Sequence, residues 1–320
     1  MNVAGRRAAT LLGIPGAIVL ASYAVEALRT APPAPERLDW APDIPIGYVT
    51  VDGTRLRYIA SGEGPALILL HTLRTQLDMF QKVVPALASR HRVYALDYPG
   101  HGWSDIPAAE STRELFVTAV AGFLERLDIR DAVLVGESIG GTIALLLAAR
   151  SNPRVRRVVA INPYDYDAGR GLRRGSPLAY FMSATNDVPV LGATVERLRT
   201  YALARRVLLG GVRRKGAFPR PLLREVYEVG NRRGQYRAFM SLLHHGPEWE
   251  QARAEYHRVD RPALLLYGDH DWSHPDEREA DLRDIPGVEL RTIEDAGHFV
   301  SLDAPDELVR AVVEFGGASR

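Results

Sequence analysis

The run Ala132-Val133-Leu134-Val135, followed by Gly136-Glu137-Ser138-Ile139-Gly140-Gly141 and then an apolar stretch to Arg150, decides the fold. Its first four residues suit a strand buried on both faces. Ile139 to Arg150 has the length and apolar character of a buried helix. Between the two, glycines flank a serine at two positions on either side. A strand that turns directly into a helix brings the two backbones together, and small residues there make that possible. The turn lifts the serine hydroxyl out of the sheet. It also leaves the Ile139 N–H unpaired at the helix start, where it can receive a developing oxyanion. A glycine-rich strand–helix turn without chemistry also fits this pattern, so the partners of the serine must decide.

Outward from this turn, strand and helix signals alternate. Tyr48 to Val51 and Leu56 to Ile59, joined by Asp52-Gly53, read as a hairpin. Further strands are expected at Ala66–Leu70, Arg92–Leu96 and Val155–Ile161, with helical stretches at Gln76–Ser89 and Arg113–Leu127. After a gap the pattern resumes with strands at Ala263–Tyr267 and Val288–Ile293 and a helix at Pro305–Phe315. Such alternation predicts an α/β fold, a doubly wound and mostly parallel sheet. The core is expected over residues 47–161 and 260–320, with a helical cap inserted at 162–259.

A serine hydroxyl needs a base to become a nucleophile. Asp295-Ala296-Gly297-His298-Phe299 follows one late strand, and Gly268-Asp269-His270-Asp271 follows another. Catalytic groups in open α/β sheets gather beyond the carboxyl ends of strands. Ser138, Asp271 and His298 are therefore expected on one sheet edge, in the chain order of an α/β-hydrolase triad. Asp269, Asp165 and Asp167 are the rival acids.

From Gly47 onward the chain resembles the α/β-hydrolase superfamily. The residues that carry the resemblance are His71, the stretch Asp97-Tyr98-Pro99-Gly100-His101-Gly102-Trp103-Ser104, the serine turn, and the two later loops. The resemblance implies Ser138 as nucleophile, Asp271 as acid and His298 as base. It also implies an oxyanion hole from the N–H groups of Ile139 and Leu73. Relatives carry glycine where this chain has Thr72, so the Leu73 loop must avoid backbone angles that need glycine; the Thr72 hydroxyl is the alternative donor. The implied activity is esterase- or lipase-like cleavage of an apolar carboxylic ester. Acyl transfer, amide or C–C bond hydrolysis, and ligand binding without turnover stay open. Relatives that are haloalkane dehalogenases or epoxide hydrolases place aspartate at the nucleophile position. No cofactor or metal is expected, because a triad needs none and no histidine pair has zincin spacing.

Composition excludes other classes. Net charge is +1 and charged residues make up 25% of the chain, so nothing draws it globally to nucleic acid. The chain has no cysteine, which removes disulfides, thiolate metal sites and cysteine nucleophiles. Arg6 and Arg7 precede an apolar run over residues 8–28, with Glu26 its one charge. That run is expected to anchor the chain in a membrane as a transmembrane helix, with the catalytic part outside the cytoplasm. Secretion after signal cleavage and a helix lying on the fold's own surface are the alternatives. A proline-rich linker at 31–46 follows, read as an extended spacer. Between Arg170 and Arg258 there are 17 basic and 7 acidic residues. They read as a solvated face or as an attraction for an anionic surface or substrate head group. Interleaved apolar residues are expected to line an acyl or aromatic pocket: Tyr180, Phe181, Met182, Leu191, Leu198, Leu208, Leu209, Phe239 and Met240.

Overall fold

A computed structural model describes residues 16–186, 188 and 190–317. Eight strands form one sheet: β1 (Ile46–Val51), β2 (Thr54–Ser61), β3 (Ala66–Leu70), β4 (Arg92–Leu96), β5 (Ala132–Glu137), β6 (Val155–Ile161), β7 (Ala263–Gly268) and β8 (Glu289–Ile293). Their order is β1-β2-β4-β3-β5-β6-β7-β8. The β1–β2 and β2–β4 pairs are antiparallel and the rest are parallel. The α/β prediction therefore holds, with the hairpin forming one end of the sheet.

Every residue of β5 and β7 is buried. So is every residue of helix Ile139–Ala149, which explains why that segment is apolar all round rather than striped. Helix Arg113–Arg126 starts at Thr112, whose side chain accepts the Leu115 N–H. Between β6 and β7 the chain runs through short helices, among them Pro177–Asn186, Leu191–Arg197, Tyr201–Leu208, Arg220–Val229 and Gln235–His244.

The Asp97–Ser104 turn is held by a buried carboxylate. Asp97 accepts from the N–H groups of Leu77 at 2.7 Å and Trp103 at 2.8 Å. It also pairs with Arg57 at 3.2 Å, and Arg57 in turn bonds Asp78 at 2.9 Å. Gly102 has φ +48, and a Cβ there would lie 2.0 Å from Asp97 Oδ2, so glycine is required. This motif is a strut beneath the site.

The expected membrane anchor is corrected. Among the described residues no helix is long and apolar enough to cross a membrane. Residues 8–15 lie outside the described part; 16–27 are helical and rise only about 18 Å, against about 30 Å of hydrocarbon. The segment is bound into the fold by polar contacts that a bilayer would not supply. Buried Ser22 accepts from Arg197 Nε at 2.9 Å, and Glu26 pairs with Arg199 at 2.7 Å. Arg29 donates to Asn231 and to the carbonyls of Arg197 and Arg199. Nothing in this arrangement supports the transmembrane reading or the location outside the cytoplasm drawn from it. The proline-rich stretch also touches the core: Leu38 is buried and Trp40 donates to Asp78 at 2.8 Å.

Candidate active site

Ser138 sits between β5 and helix Ile139–Ala149 with φ 61 and ψ −122, a conformation costly for a residue with a side chain. Packing enforces it. A Cβ on Gly136 would lie 2.0 Å from Gly140 O, and one on Gly140 would lie 2.2 Å from Leu70 O. The Ser138 N–H is fixed on the neighbouring strand, at 2.8 Å from Ile161 O. Sharp turn, flanking glycines and buried helix together have the geometry of a nucleophile elbow.

The loops after β7 and β8 meet beside it. His298 Nδ1 lies 2.5 Å from Asp271 Oδ1, and both side chains are almost wholly buried. His298 Nε2 has no hydrogen-bond partner among the described residues. Ser138 and His298 line the same cavity, with the second ring nitrogen uncommitted there. Burial alone would raise the Asp271 carboxyl. The His298 imidazole and the Ser273 hydroxyl and N–H outweigh it, so the group is held below the usual carboxylate range. Asp271 is thus an ionised, buried acceptor that fixes the ring.

The rival acids go elsewhere. Asp269 accepts from the Ala296 N–H at 3.1 Å and shapes the turn. Asp165 accepts from the Tyr256 hydroxyl at 2.6 Å, and Asp167 pairs with Arg173 and Arg174.

The loop after β3 closes another side of the cavity. Thr72 is not among the residues with positive φ; the left-handed position falls on Arg74, with φ 59. Threonine therefore fits at 72 without strain. Among the described residues, neither the Leu73 N–H nor the Ile139 N–H meets a protein acceptor. The Thr72 hydroxyl donates to Leu73 O at 3.1 Å, so it is already engaged. His71 is a packing residue: it is buried, its Nδ1 meets Thr72 O, and its Nε2 accepts from the Tyr98 N–H. Burial pushes its ring well below the usual range and keeps it neutral.

Sequence reasoning did not single out Trp272. Its ring stacks on His298 at 3.9 Å and 11°, and its indole N–H donates to Gly210 O. An aromatic residue directly after the acid was the available signal. Glu137 was likewise read only as part of the turn. Its carboxylate accepts from the Ser301 hydroxyl at 2.7 Å and the Ser301 N–H at 3.0 Å, which ties the elbow to the helix behind His298.

Of the expected pocket residues, Met182, Leu208 and Phe239 line the cavity with Ser138, and Met240 lines a neighbouring one. Leu209 is buried. Tyr180, Phe181, Leu191 and Leu198 are exposed instead, because their helices turn those faces outward. Leu203, Val207, Val226 and Leu242 complete the apolar wall.

Comparison with known proteins places this geometry. A profile described as alpha/beta hydrolase fold matches residues 65–305, and the chain belongs to that family. It is 28% identical to a haloalkane dehalogenase of Psychrobacter cryohalolentis over 84% of this chain and 91% of the relative. It is 28% identical to an sn-1-specific diacylglycerol lipase of Mus musculus over 88% of this chain and 87% of the relative. An enol-lactonase structure from Burkholderia xenovorans LB400 superposes with a TM-score of 0.68 at 27% identity, covering 85% of this chain and all of that one. The chain is a hydrolase of this family.

Proposed function

We propose that the protein is a serine hydrolase that cleaves a carboxylic ester through an acyl-enzyme on Ser138. The observation that carries this is the buried Asp271–His298 pair at 2.5 Å, with His298 Nε2 left uncommitted in the cavity that Ser138 lines. Ser138 attacks the carbonyl as His298 takes its proton. The Ile139 and Leu73 N–H groups stabilise the tetrahedral oxyanion. His298 then protonates the departing alcohol, and water, activated by the same imidazole, hydrolyses the acyl-enzyme. Asp271 holds the ring in the tautomer that presents Nε2 as acceptor and stabilises the imidazolium.

Nucleophile chemistry argues against the dehalogenase reading despite that relative. Displacement of halide by a serine oxygen would leave an ether on the enzyme, which water cannot hydrolyse in a second step. A carboxylate nucleophile would leave an ester, which it can. The apolar cavity wall supports an acyl or alkyl group beside the ester.

Purified enzyme should hydrolyse 4-nitrophenyl butyrate, and Ser138→Ala should reduce kcat by about 10³-fold or more. Equal turnover by both proteins would remove Ser138 from the reaction. No turnover of any ester by the wild type would favour a binding protein that keeps the fold.

A further inference from the structure

One wall of the active-site cavity carries charge that its own fold does not balance. Arg74, Glu196 and Arg199 line the cavity together with Ser138. They belong to a polar cluster that continues into the N-terminal helical segment. Arg199 pairs with Glu26, Glu26 with Arg29, and Arg29 donates to the carbonyls of Arg197 and Arg199. Among the described residues, Arg29, Arg74 and Arg199 pair with two glutamates (Glu26 and Glu196), and Arg197 beside them bonds the neutral groups of Ser22, Tyr236 and Thr194, an excess of two positive charges. Arg197, Arg199 and Glu196 are each no more than 5% exposed, so solvent does little to screen that excess. A buried positive excess is costly unless an anion answers it.

Arg74 is where that anion could enter. Arg199 is saturated: its two terminal nitrogens donate to Glu26, Glu196 O and Gly230 O. Arg197 is held by Ser22, Tyr236 and Thr194. Arg74 makes one long contact, 3.5 Å to Glu196, and its side chain keeps 26% of its exposure. Its guanidinium lies over the Phe239 ring at 3.6 Å. Stacking covers a face and leaves the edge of the plane, the geometry that receives a carboxylate with two parallel N–H···O bonds. Burial and Arg199 both favour loss of the Arg74 charge against the pull of Glu196, as expected of a cation short of a counter-ion.

We infer that Arg74 is a specificity residue for an anionic terminus, so that the preferred substrate is an ester carrying a free carboxylate separated from the ester by an apolar segment. This rests on the serine-hydrolase reading above. The ester sits at Ser138, the apolar segment runs along the Val226 and Leu242 wall, and the carboxylate pairs with Arg74.

The test compares charged and neutral isosteres in both orientations by titrating released acid. Monoethyl adipate against ethyl hexanoate places the carboxylate on the acyl side; 6-acetoxyhexanoate against hexyl acetate places it on the alcohol side. Wild type should prefer the charged member of one pair by about tenfold or more in kcat/KM. Arg74→Gln should bring that ratio to about one, and Arg74→Lys should retain part of it. Glu196→Gln removes the competing carboxylate and should raise the ratio. Because each readout is a ratio within one protein, a variant with lower overall activity still reports. Neutral esters preferred in both pairs, or a ratio unchanged in Arg74→Gln, would overturn the inference while leaving the serine chemistry intact. No hydrolysis of any of the four esters would instead count against the reading on which it rests.

Discussion

Glu137 supplies a stability signal that can be read against pH. It is the residue before Ser138 and is fully buried. Burial raises its carboxyl from the usual 4.5 to about 7; the Ser301 and Val300 groups that donate to it pull the other way, and Asp303 pushes it further up. Below pH 4.5 the folded and unfolded chains both hold the proton. Between 4.5 and about 7 the unfolded chain loses it while the folded chain keeps it, so stability falls as pH rises through this window. Above 7 both are ionised and the contribution is constant. A rise of about 2.5 pH units at ~1.36 kcal/mol each makes the loss about 3 kcal/mol. Glu137→Gln cannot titrate and should lack it. Urea unfolding at pH 4.5 and pH 8 would measure the effect as wild type minus variant. His71 and His101 titrate with the opposite sign, since burial lowers both, but they are common to the two proteins and cancel. The difference should move by about 3 kcal/mol against the wild type between the two pH values. A difference that stays constant would refute the claim that Glu137 is a buried, proton-holding link between elbow and histidine loop.

Three further outcomes are expected. Asp271→Asn keeps the shape but loses the charge that orients His298, and kcat should fall by about 10³- to 10⁴-fold with the fold intact by circular dichroism. Gly140→Ala would press a methyl against Leu70 O, a backbone atom that cannot move aside, and should cost about 3 kcal/mol in thermal unfolding along with the elbow's activity. Asp97→Asn leaves Arg57 paired with Asp78 but puts an amide nitrogen where both carboxylate oxygens accept N–H groups, and should destabilise by about 1–3 kcal/mol in urea unfolding while the Asp271–His298 contact persists.

The sheet and the meeting of Ser138, Asp271 and His298 were legible in sequence because each depends on short-range patterns. Apolar runs mark buried strands, and residues just past their carboxyl ends share an edge. The features that were missed depend on distant partners. The apolar run at the N-terminus reads as a membrane span by hydropathy alone. Its polar residues Ser22, Glu26 and Arg29 find partners at Arg197, Arg199 and Asn231, which no local window can see. Much of the basic excess of the inserted segment is a solvated face, with Arg205, Arg206, Arg220 and Arg224 exposed, but Arg174 bonds Glu277, Arg253 bonds Asp281 and Arg232 bonds Ser104 O. Thr72 looked like an obstacle to the oxyanion loop, because the sequence does not show that the left-handed residue of this loop is Arg74. Helix periodicity could not separate Met182, which lines the cavity, from its exposed neighbour Phe181.

The proposed function turns on Ser138 as a nucleophile activated by His298. Incubation with a fluorophosphonate probe, followed by digestion and mass spectrometry, tests it directly. The wild type should carry one phosphonyl adduct on the peptide containing Ser138, with none in Ser138→Ala and slow labelling in His298→Ala. An unlabelled wild type, or an adduct on a different residue, would contradict the account.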